Sequence, residues 1–212
     1  DLFVTHIYIM RARMRDDEVL KNVAANDIAN IRQTLEMLDR SAFDRAVEAI
    51  LRARQVYVFG AGSSRALASF LTHYLKMLLG GRAHLISSAS QSEIFEELLD
   101  IGEQDVMIVI SFPRYSSKAA KTMSYAGSRG ATTVALTDSV LSPISSNCNH
   151  LLLAHSDMAG VVDSLVAPLS VINALIVAIS LKTMDVNRAK METLEQLWND
   201  YRVYETPGEH SI

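Results

Sequence analysis

Hydroxyl and cationic side chains follow a strongly apolar run in the middle of the chain. The run Val106-Met-Ile-Val-Ile110 has the composition of a strand that is buried on both faces. Pro113 cannot donate a ladder hydrogen bond, so the strand must end near Ser111. The residues that follow include Arg114, Ser116, Ser117 and Lys118. A helix starting there presents free N–H groups and the positive end of its dipole to an anion, so the segment predicts half of a phosphate site.

A second segment of the same design lies upstream, in Val56-Tyr-Val-Phe-Gly-Ala-Gly-Ser-Ser-Arg65. Another apolar run ends here in two glycines and two serines, before a segment with helical periodicity. Gly60 and Gly62 permit the tight backbone in which N–H groups converge on an oxyanion. We therefore predict that the two segments form one anion-binding site.

Strand and helix signals alternate along the chain and predict the elements that position this site. Strands are predicted near residues 55–59, 83–86, 106–111, 132–136 and 150–153. Helices are predicted at 16–38, 64–79, 116–127, 161–183 and 188–203. Two further helices are predicted from capping boxes: one starts at Ser41 and Asp44, and the other spans 91–99 and starts at Ser90 and Glu93. This alternation predicts an α/β fold with a doubly wound, five-stranded parallel sheet in the flavodoxin-like order 2-1-3-4-5. In that order the first and third strands flank the switch point, where both segments end.

Composition excludes several classes of protein. The formal net charge of -4 argues against a surface built to grip nucleic acid, and the hydrophobic fraction of 49% is ample for a core. The single Cys148 excludes a disulfide framework and a CxxC zinc site. Residues 165–181 approach transmembrane length but contain Pro168 and Asn173, which favours a helix buried in protein. We expect a cytoplasmic protein without a membrane segment, metal or cofactor.

Two familiar nucleotide motifs fail at the same loops. Gly60-Ala-Gly62 resembles the start of a dinucleotide fingerprint, but Arg65 stands where the third glycine belongs. The second predicted strand ends in Ile86-Ser-Ser-Ala, without an acid for a ribose hydroxyl. Neither loop has the Gly-Lys-Ser/Thr ending of a P-loop.

The pair Gly60-Ala-Gly-Ser-Ser64 and Ile110-Ser-Phe-Pro-Arg-Tyr-Ser116 resembles the sugar isomerase (SIS) phosphosugar-binding domain. More narrowly, residues 20–200 resemble the effector domain of RpiR-family bacterial transcriptional regulators. The resemblance implies that serine hydroxyls of both loops hold a sugar phosphate. The family's second motif reads Ser-x-Ser-Gly-x-Thr, whereas Pro113 and Arg114 replace its inner Ser-Gly pair here. That exchange removes a hydroxyl and a backbone donor.

Eight residues are predicted to bind the phosphosugar. They are Gly60, Gly62, Ser63, Ser64, Glu93, Ser111, Arg114 and Ser116. Arg114 either presents its planar fork to the ligand or is a solvated loop residue or a subunit contact. Glu93 either faces the pocket or serves only as a capping residue.

Two classes of function remain open at this point. Aldose-ketose isomerisation needs a base, and Glu93, His73, His84, His150, His155 and Asp163 are the candidates, although no acid-base pair stands at motif spacing. We therefore assign no catalytic residue. The favoured hypothesis is an effector domain that senses a sugar phosphate, and the alternative is a stand-alone phosphosugar isomerase.

The favoured hypothesis carries expectations about the rest of the protein. The chain does not begin with Met, and the resemblance implies a helix-turn-helix domain upstream through which DNA is bound. We expect residues 1–40 to form a linker and an amphipathic helix, 41–205 the SIS domain and 206–212 a flexible tail. Because residues 161–181 are apolar nearly all round, we expect a homodimer or higher homo-oligomer, with core burial as the alternative.

Overall fold

A five-stranded parallel sheet forms the centre of the computed structural model, which describes residues 18–158 and 163–204. The strands are β1 (Val56–Gly60), β2 (Ala83–Leu85), β3 (Val106–Ile110), β4 (Thr132–Thr137) and β5 (His150–Leu153). Their order is β2-β1-β3-β4-β5, and every neighbouring pair is parallel. The predicted fold class and strand order are confirmed.

Helices cover both faces of the sheet. They are α1 (Val19–Met37), α2 (Arg40–Arg52), α3 (Ser64–Leu78), α4 (Gln91–Glu97), α5 (Ser117–Ser128) and α6 (Val166–Asp200). One core joins α2, α3 and α6 to the sheet, and a second core joins α4 and α5 to the opposite face. In β3, Ile108 and Ile110 enter the first core while Met107 and Val109 enter the second. Burial on both faces explains why this strand is apolar without interruption.

The C-terminal helical region differs from the prediction. Instead of two helices over 161–183 and 188–203, one helix of 35 residues runs from Val166 to Asp200. Residues 161 and 162 lie outside the described part, and residues 163–165 are not helical. Apolar periodicity fades after Thr183, but the segment 184–187 contains no Gly or Pro, so nothing in the backbone ends the helix. Asn187 also ties it to the end of α3 by donating from Nδ2 to the Leu78 carbonyl at 2.7 Å.

Helix caps were predicted correctly at one position and wrongly at another. The Ser90 hydroxyl accepts from the Glu93 N–H at 3.2 Å, as the capping box at α4 predicts. Helix α2 instead begins one residue earlier than its predicted cap, and Asp39 accepts from the Ser41 N–H at 2.8 Å. Ser41 is therefore capped and does not cap, because an upstream carboxylate reaches the same orphan donor.

The fully buried residues of helix α1 are polar, and much of its predicted apolar stripe is exposed. Its buried residues are Asn30 and Thr34, whereas Leu20 and Leu35 are exposed. The proposed division at residue 40 coincides with the junction of α1 and α2 and stays a prediction. The linker before residue 18 and the tail at 206–212 lie outside the described residues.

Candidate functional site

The two predicted loops begin side by side because the last residues of their strands are paired. Gly60 of β1 and Ile110 of β3 are register partners. The loop after each strand leads directly into a helix, α3 or α5, so two helix N-termini meet at the carboxyl edge of the sheet. This edge, at the switch point of the strand order, is where open α/β sheets bind ligands.

Glycine is required by backbone packing at the end of β1. A Cβ atom on Gly60 would lie 2.4 Å from the carbonyl oxygen of Ser64, inside the first turn of α3. Gly62 has a φ of 59°, in the left-handed region that favours glycine. These two residues let α3 start tightly against the strand, which brings Ser63 and Ser64 to the sheet edge.

Most of the predicted residues line a cavity between the two loops. Another polar cavity, of about 540 Å³, is lined by none of them. The cavity between the loops has a volume of about 500 Å³ and is lined by Ala61, Gly62, Ser63, Ser64, Ser111, Phe112, Pro113, Arg114, Ser116, Ser117, Lys118 and Asp163. Six of the eight predicted binding residues line it. Such a volume fits a small-molecule ligand larger than a phosphate group.

The other two predicted residues do not line this cavity. Gly60 lies behind its wall, where it permits the packing of α3. Glu93 is exposed in the first turn of α4, and its N–H is bound by Ser90. A role for Glu93 in ligand binding stays a prediction.

Of the five serines that line the cavity, Ser117 is exposed at the start of α5, and the other four are of two kinds. Ser64 and Ser111 are buried, at 3% and 4% exposure. Ser63 and Ser116 occupy the N-cap positions of α3 and α5, yet neither side chain makes a capping hydrogen bond. An N-cap serine ordinarily accepts from the first turn of its own helix. Here both hydroxyls are left for another partner at the cavity.

Arg114 holds a strained backbone conformation in the second loop. Its φ is 61°, the left-handed region that a non-glycine residue enters at a cost of about 1–2 kcal/mol. The family motif places glycine at this position, and the chain keeps the glycine-like geometry while carrying a cationic side chain. The residue thus brings positive charge to the cavity from a backbone conformation that favours glycine.

Contacts outside the cavity hold the second loop in place. The Ser111 N–H continues the ladder to the Leu136 carbonyl at 3.1 Å. The Tyr115 hydroxyl donates to Asp138 Oδ1 at 2.8 Å, beyond the end of β4. Burial, followed by this bond and the Asp138 charge, raises the pKa of Tyr115 to about 12. The phenol therefore stays protonated and keeps donating throughout the neutral range.

Three residues that support the cavity were absent from the predicted set. Tyr115 and Asp138 had no sequence signal, because their contact joins residues 23 positions apart. Lys118 lines the cavity from the first turn of α5, and its Nζ donates to the Ala89 carbonyl. Its signal in the sequence was the pair of cationic residues, Arg114 and Lys118, that follows β3.

Asp163 is the acidic side chain of the described cavity lining. Its Oδ1 atom is buried and has no hydrogen-bond partner among residues 18–158 and 163–204. From the sequence, Asp163 was predicted only as one possible base. The histidines considered with it do not line the cavity, and His84 Nε2 instead lies 2.8 Å from Gln55 Oε1.

Comparisons with known proteins agree with this architecture. The model of the SIS domain family matches residues 49–178. Among curated proteins, an uncharacterised HTH-type transcriptional regulator of Haemophilus influenzae is 31% identical over 127 residues, which are 59% of this chain and 43% of the regulator. The chain thus spans less than half the length of that relative.

Solved structures extend the similarity over most of the chain. The sugar isomerase domain of the RpiR transcription factor from Sphaerobacter thermophilus is 33% identical, with a TM-score of 0.79 over 84% of this chain and 99% of that domain. The NanR protein of Vibrio vulnificus, solved in complex with ManNAc-6P, is 20% identical, with a TM-score of 0.71 over 84% of this chain and 68% of NanR. The second likeness concerns the fold alone.

Proposed function

The chain belongs to the SIS domain family, and from this membership we propose that it is the phosphosugar-binding effector domain of an RpiR-type transcriptional regulator. The observation that carries the proposal is the single cavity formed by the two serine loops after β1 and β3. The sugar isomerase domain of an RpiR transcription factor is similar over nearly its whole length. Occupancy of the cavity would be transmitted to a DNA-binding segment that we place outside this chain.

The phosphate group is assigned to the meeting point of the two helix N-termini. Ser64 and Ser111 offer hydroxyls from the buried wall, and Ser63 and Ser116 offer hydroxyls that do not cap their helices. The positive ends of α3 and α5 and the Arg114 guanidinium complement the negative charge. The sugar then occupies the remaining volume of the cavity.

A regulator is favoured over an isomerase by the chemistry of the lining. Proton transfer between adjacent carbons requires a base within hydrogen-bond reach of the substrate. The lining, as far as the chain is described, contains one carboxylate, Asp163, and no histidine or glutamate. A binding site without a paired acid and base suits a sensor that releases its ligand unchanged.

We also propose that the sensor works as a cytoplasmic homodimer, with residues 41–205 as its ligand-binding unit, residues 1–40 as the connector and 206–212 as a tail. Ligand binding would favour one arrangement of the two subunits, a coupling typically worth about 1–3 kcal/mol. The exposed apolar residues on the outer surfaces of α1 and α6 support the pairing.

Calorimetric titration tests the binding site. The purified chain is titrated with ManNAc-6P, fructose 6-phosphate and arabinose 5-phosphate, and with the same sugars lacking phosphate. We expect at least one phosphorylated sugar to bind and its unphosphorylated form not to bind. Ser111→Ala and Ser64→Ala should each weaken binding about tenfold or more, since a hydrogen bond to a charged group contributes about 1.5–3 kcal/mol.

Ser128→Ala is the matched control, because the Ser128 hydroxyl donates to the Tyr125 carbonyl at 2.7 Å on the exposed end of α5. It should leave the affinity unchanged. Undiminished binding in both cavity variants would mean that the site lies elsewhere. NMR of the bound sugar after prolonged incubation should show one isomer, and appearance of the keto or aldo counterpart would favour the isomerase.

A further inference from the structure

We infer that Asp163 makes the cavity selective for sugar phosphates whose non-phosphate end is uncharged or a hydrogen-bond donor, and against those that end in a carboxylate. The inference rests on the proposed function and names the class of ligand for the same site. The ligands favoured are phosphorylated aldoses, ketoses, polyols and their amino or N-acyl forms. Those disfavoured are phosphorylated sugar acids.

The Asp163 carboxylate can accept hydrogen bonds from a ligand in the cavity. Asp163 lines the cavity, and its Oδ1 atom finds no donor among the described residues. A ligand that donates to this carboxylate forms a charge-assisted hydrogen bond, which contributes more than the usual neutral one. Sugar hydroxyls, amide N–H groups and ammonium groups are such donors, whereas a carboxylate is not.

The segment that carries Asp163 is attached to α1. The neighbouring Ser164 is buried, and its hydroxyl donates to Asp27 Oδ1 on α1 at 2.5 Å. This bond fixes the backbone on the C-terminal side of Asp163 against a helix that belongs to another part of the fold. The carboxylate is therefore presented by an anchored segment, and its alignment with a ligand costs less conformational entropy.

The charges of the described cavity lining favour one anionic group on the ligand over two. The cationic side chains of the described lining are Arg114 and Lys118, and the anionic one is Asp163. A phosphate dianion uses both cations together with the helix N-termini. A second anionic group on the ligand would meet no further cation from the described lining and would face Asp163, which opposes binding by charge repulsion and by leaving both carboxylates unpaired.

The test compares two ligands that differ in one group. Glucitol 6-phosphate and 6-phosphogluconate are both acyclic six-carbon phosphates, and they carry CH2OH and carboxylate, respectively, at carbon 1. Inorganic phosphate serves as the probe of the phosphate end alone. We expect the unmodified chain to prefer glucitol 6-phosphate at least tenfold by calorimetric or thermal-shift titration at constant ionic strength.

The variant Asp163→Asn should reduce this preference to less than threefold, because an amide can donate to a carboxylate and carries no charge. Its effect on inorganic phosphate should be less than threefold. Asp185→Asn, an exposed carboxylate change on α6, is the control and should keep the full preference. The melting temperature of each ligand-free variant verifies that it is folded.

Three results would overturn the inference. One is an unmodified chain that binds 6-phosphogluconate as tightly as glucitol 6-phosphate. Another is an Asp163→Asn variant that keeps the original preference, including the case in which it binds all three probes more tightly by one common factor. A common factor would mean that Asp163 acts only as a background charge. If the unmodified chain binds none of the phosphorylated probes, the proposed function itself fails and the inference falls with it.

Discussion

At the scale of single residues, Arg114 combines a backbone cost with a charge, and the two can be separated. Glycine adopts its φ of 61° without strain, whereas alanine and arginine do not. Arg114→Gly and Arg114→Ala remove the same guanidinium and every contact it makes. The comparison between these two variants therefore isolates the backbone.

We expect Arg114→Gly to be more stable than Arg114→Ala by about 1 kcal/mol, measured by urea denaturation. Both variants should bind the phosphosugar about tenfold more weakly than the unmodified chain, because both lose the charged donor. Equal stability of the two variants would show that the loop does not need the left-handed conformation. Unchanged affinity in both would remove Arg114 from the site.

Asp105 is the second residue whose environment makes a quantitative prediction. Its side chain is fully buried and accepts from Arg54 Nε at 3.0 Å, from Arg54 Nη2 at 2.7 Å and from the N–H groups of Gly102 and Gln55. Burial opposes ionisation, but the hydrogen bonds from Arg54 and the two backbone groups outweigh it and lower the pKa of Asp105. The network joins the turn before β3 to the start of β1.

Asp105→Asn should lower the free energy of unfolding at pH 7 by about 2–3 kcal/mol, since hydrogen bonds to a buried carboxylate are lost. A lowered pKa in the folded state means that this stabilisation is complete above the unfolded value near 3.9 and is lost as the pH falls through the folded value. The difference between the two proteins should therefore shrink toward acid. Urea denaturation from pH 7 to about pH 3 measures it.

Asp44→Asn is the matched control for this pH series. Asp44 pairs with Arg40 at 3.8 Å on the surface of α2, where both side chains are largely exposed. An exposed pair contributes about 0–1 kcal/mol, so this variant should nearly match the unmodified chain at every pH. A pH-independent deficit in Asp105→Asn would mean that packing, and not ionisation, accounts for its effect.

The site was predictable from the sequence where its residues sit next to a strand end. Six of the eight predicted residues line the cavity because Pro113 after β3 and the glycines at the end of β1 mark the strand ends, and parallel strands place those ends together. The positions of Tyr115 and of the segment that carries Asp163 depend on contacts with distant parts of the chain, and local sequence periodicity does not predict such contacts. Glu93 satisfied a capping pattern and a pocket hypothesis equally, and sequence spacing does not distinguish them.

At the scale of elements, α1 is attached to the loop after β5 by a polar latch. We use this name for Asn26, Asn30 and Thr34 of α1 with residues 155 and 157. The side-chain amides of Asn26 and Asn30 donate to the Asp157 carbonyl at 2.9 and 3.1 Å, and the His155 N–H donates to Thr34 Oγ1 at 2.8 Å. The chain continues from this loop to Asp163 at the cavity. The latch therefore joins α1 to a segment that lies close in sequence to a residue of the cavity lining.

Asn30→Ala should loosen α1 without unfolding the sheet. Loss of one buried hydrogen bond costs about 1 kcal/mol, which corresponds to roughly fivefold faster amide exchange in α1. Hydrogen exchange with mass spectrometry measures it, and peptides of β1 and β3 should be unaffected. Gln33→Ala changes an exposed residue of the same helix and should leave the exchange of α1 unaltered.

Ligand binding gives this prediction a functional readout. If the latch couples the cavity to α1, a saturating phosphosugar should slow exchange in α1 of the unmodified chain and do so less in Asn30→Ala. Equal protection in both proteins would leave the latch as a structural attachment only. The apolar spacing of α1 predicted a helix correctly but not its buried face, because the residues that hold it are polar and their partners lie more than 120 positions away.

At the scale of the whole molecule, the outer surface of α6 is more apolar than its contacts with the described residues explain. Among the described residues it is the one helix long and apolar enough to span a membrane by length and composition, yet only 33% of its most apolar 18-residue window is buried. One face packs on α3, and other contacts reach α1 and α2. Val177 and Leu181 are exposed on it, and Leu20 and Leu35 are exposed on the neighbouring α1.

A second copy of this chain is the partner that we propose for this surface. Contacts with three other helices identify α6 as a core helix with one open side, the arrangement in which a pair of subunits completes the burial. The polar residues Asn173 and Ser180 on the same helix suit a protein partner better than lipid. The proposal of a homodimer is supported by the apolar area that the described part of a single subunit leaves in water.

Val177→Glu should convert this dimer to a monomer, because a charge at the centre of an apolar contact stays unpaired when the subunits meet. Sedimentation velocity at micromolar concentration should show the mass of two chains for the unmodified protein and of one chain for the variant. Leu141→Glu, which changes an exposed apolar residue between β4 and β5 and not on α1 or α6, should remain dimeric. Since Val177 is already 56% exposed in the single subunit, the variant should keep its fold and its circular dichroism spectrum. A monomeric unmodified chain, or a dimer that survives Val177→Glu, would show that another surface or no surface pairs the subunits.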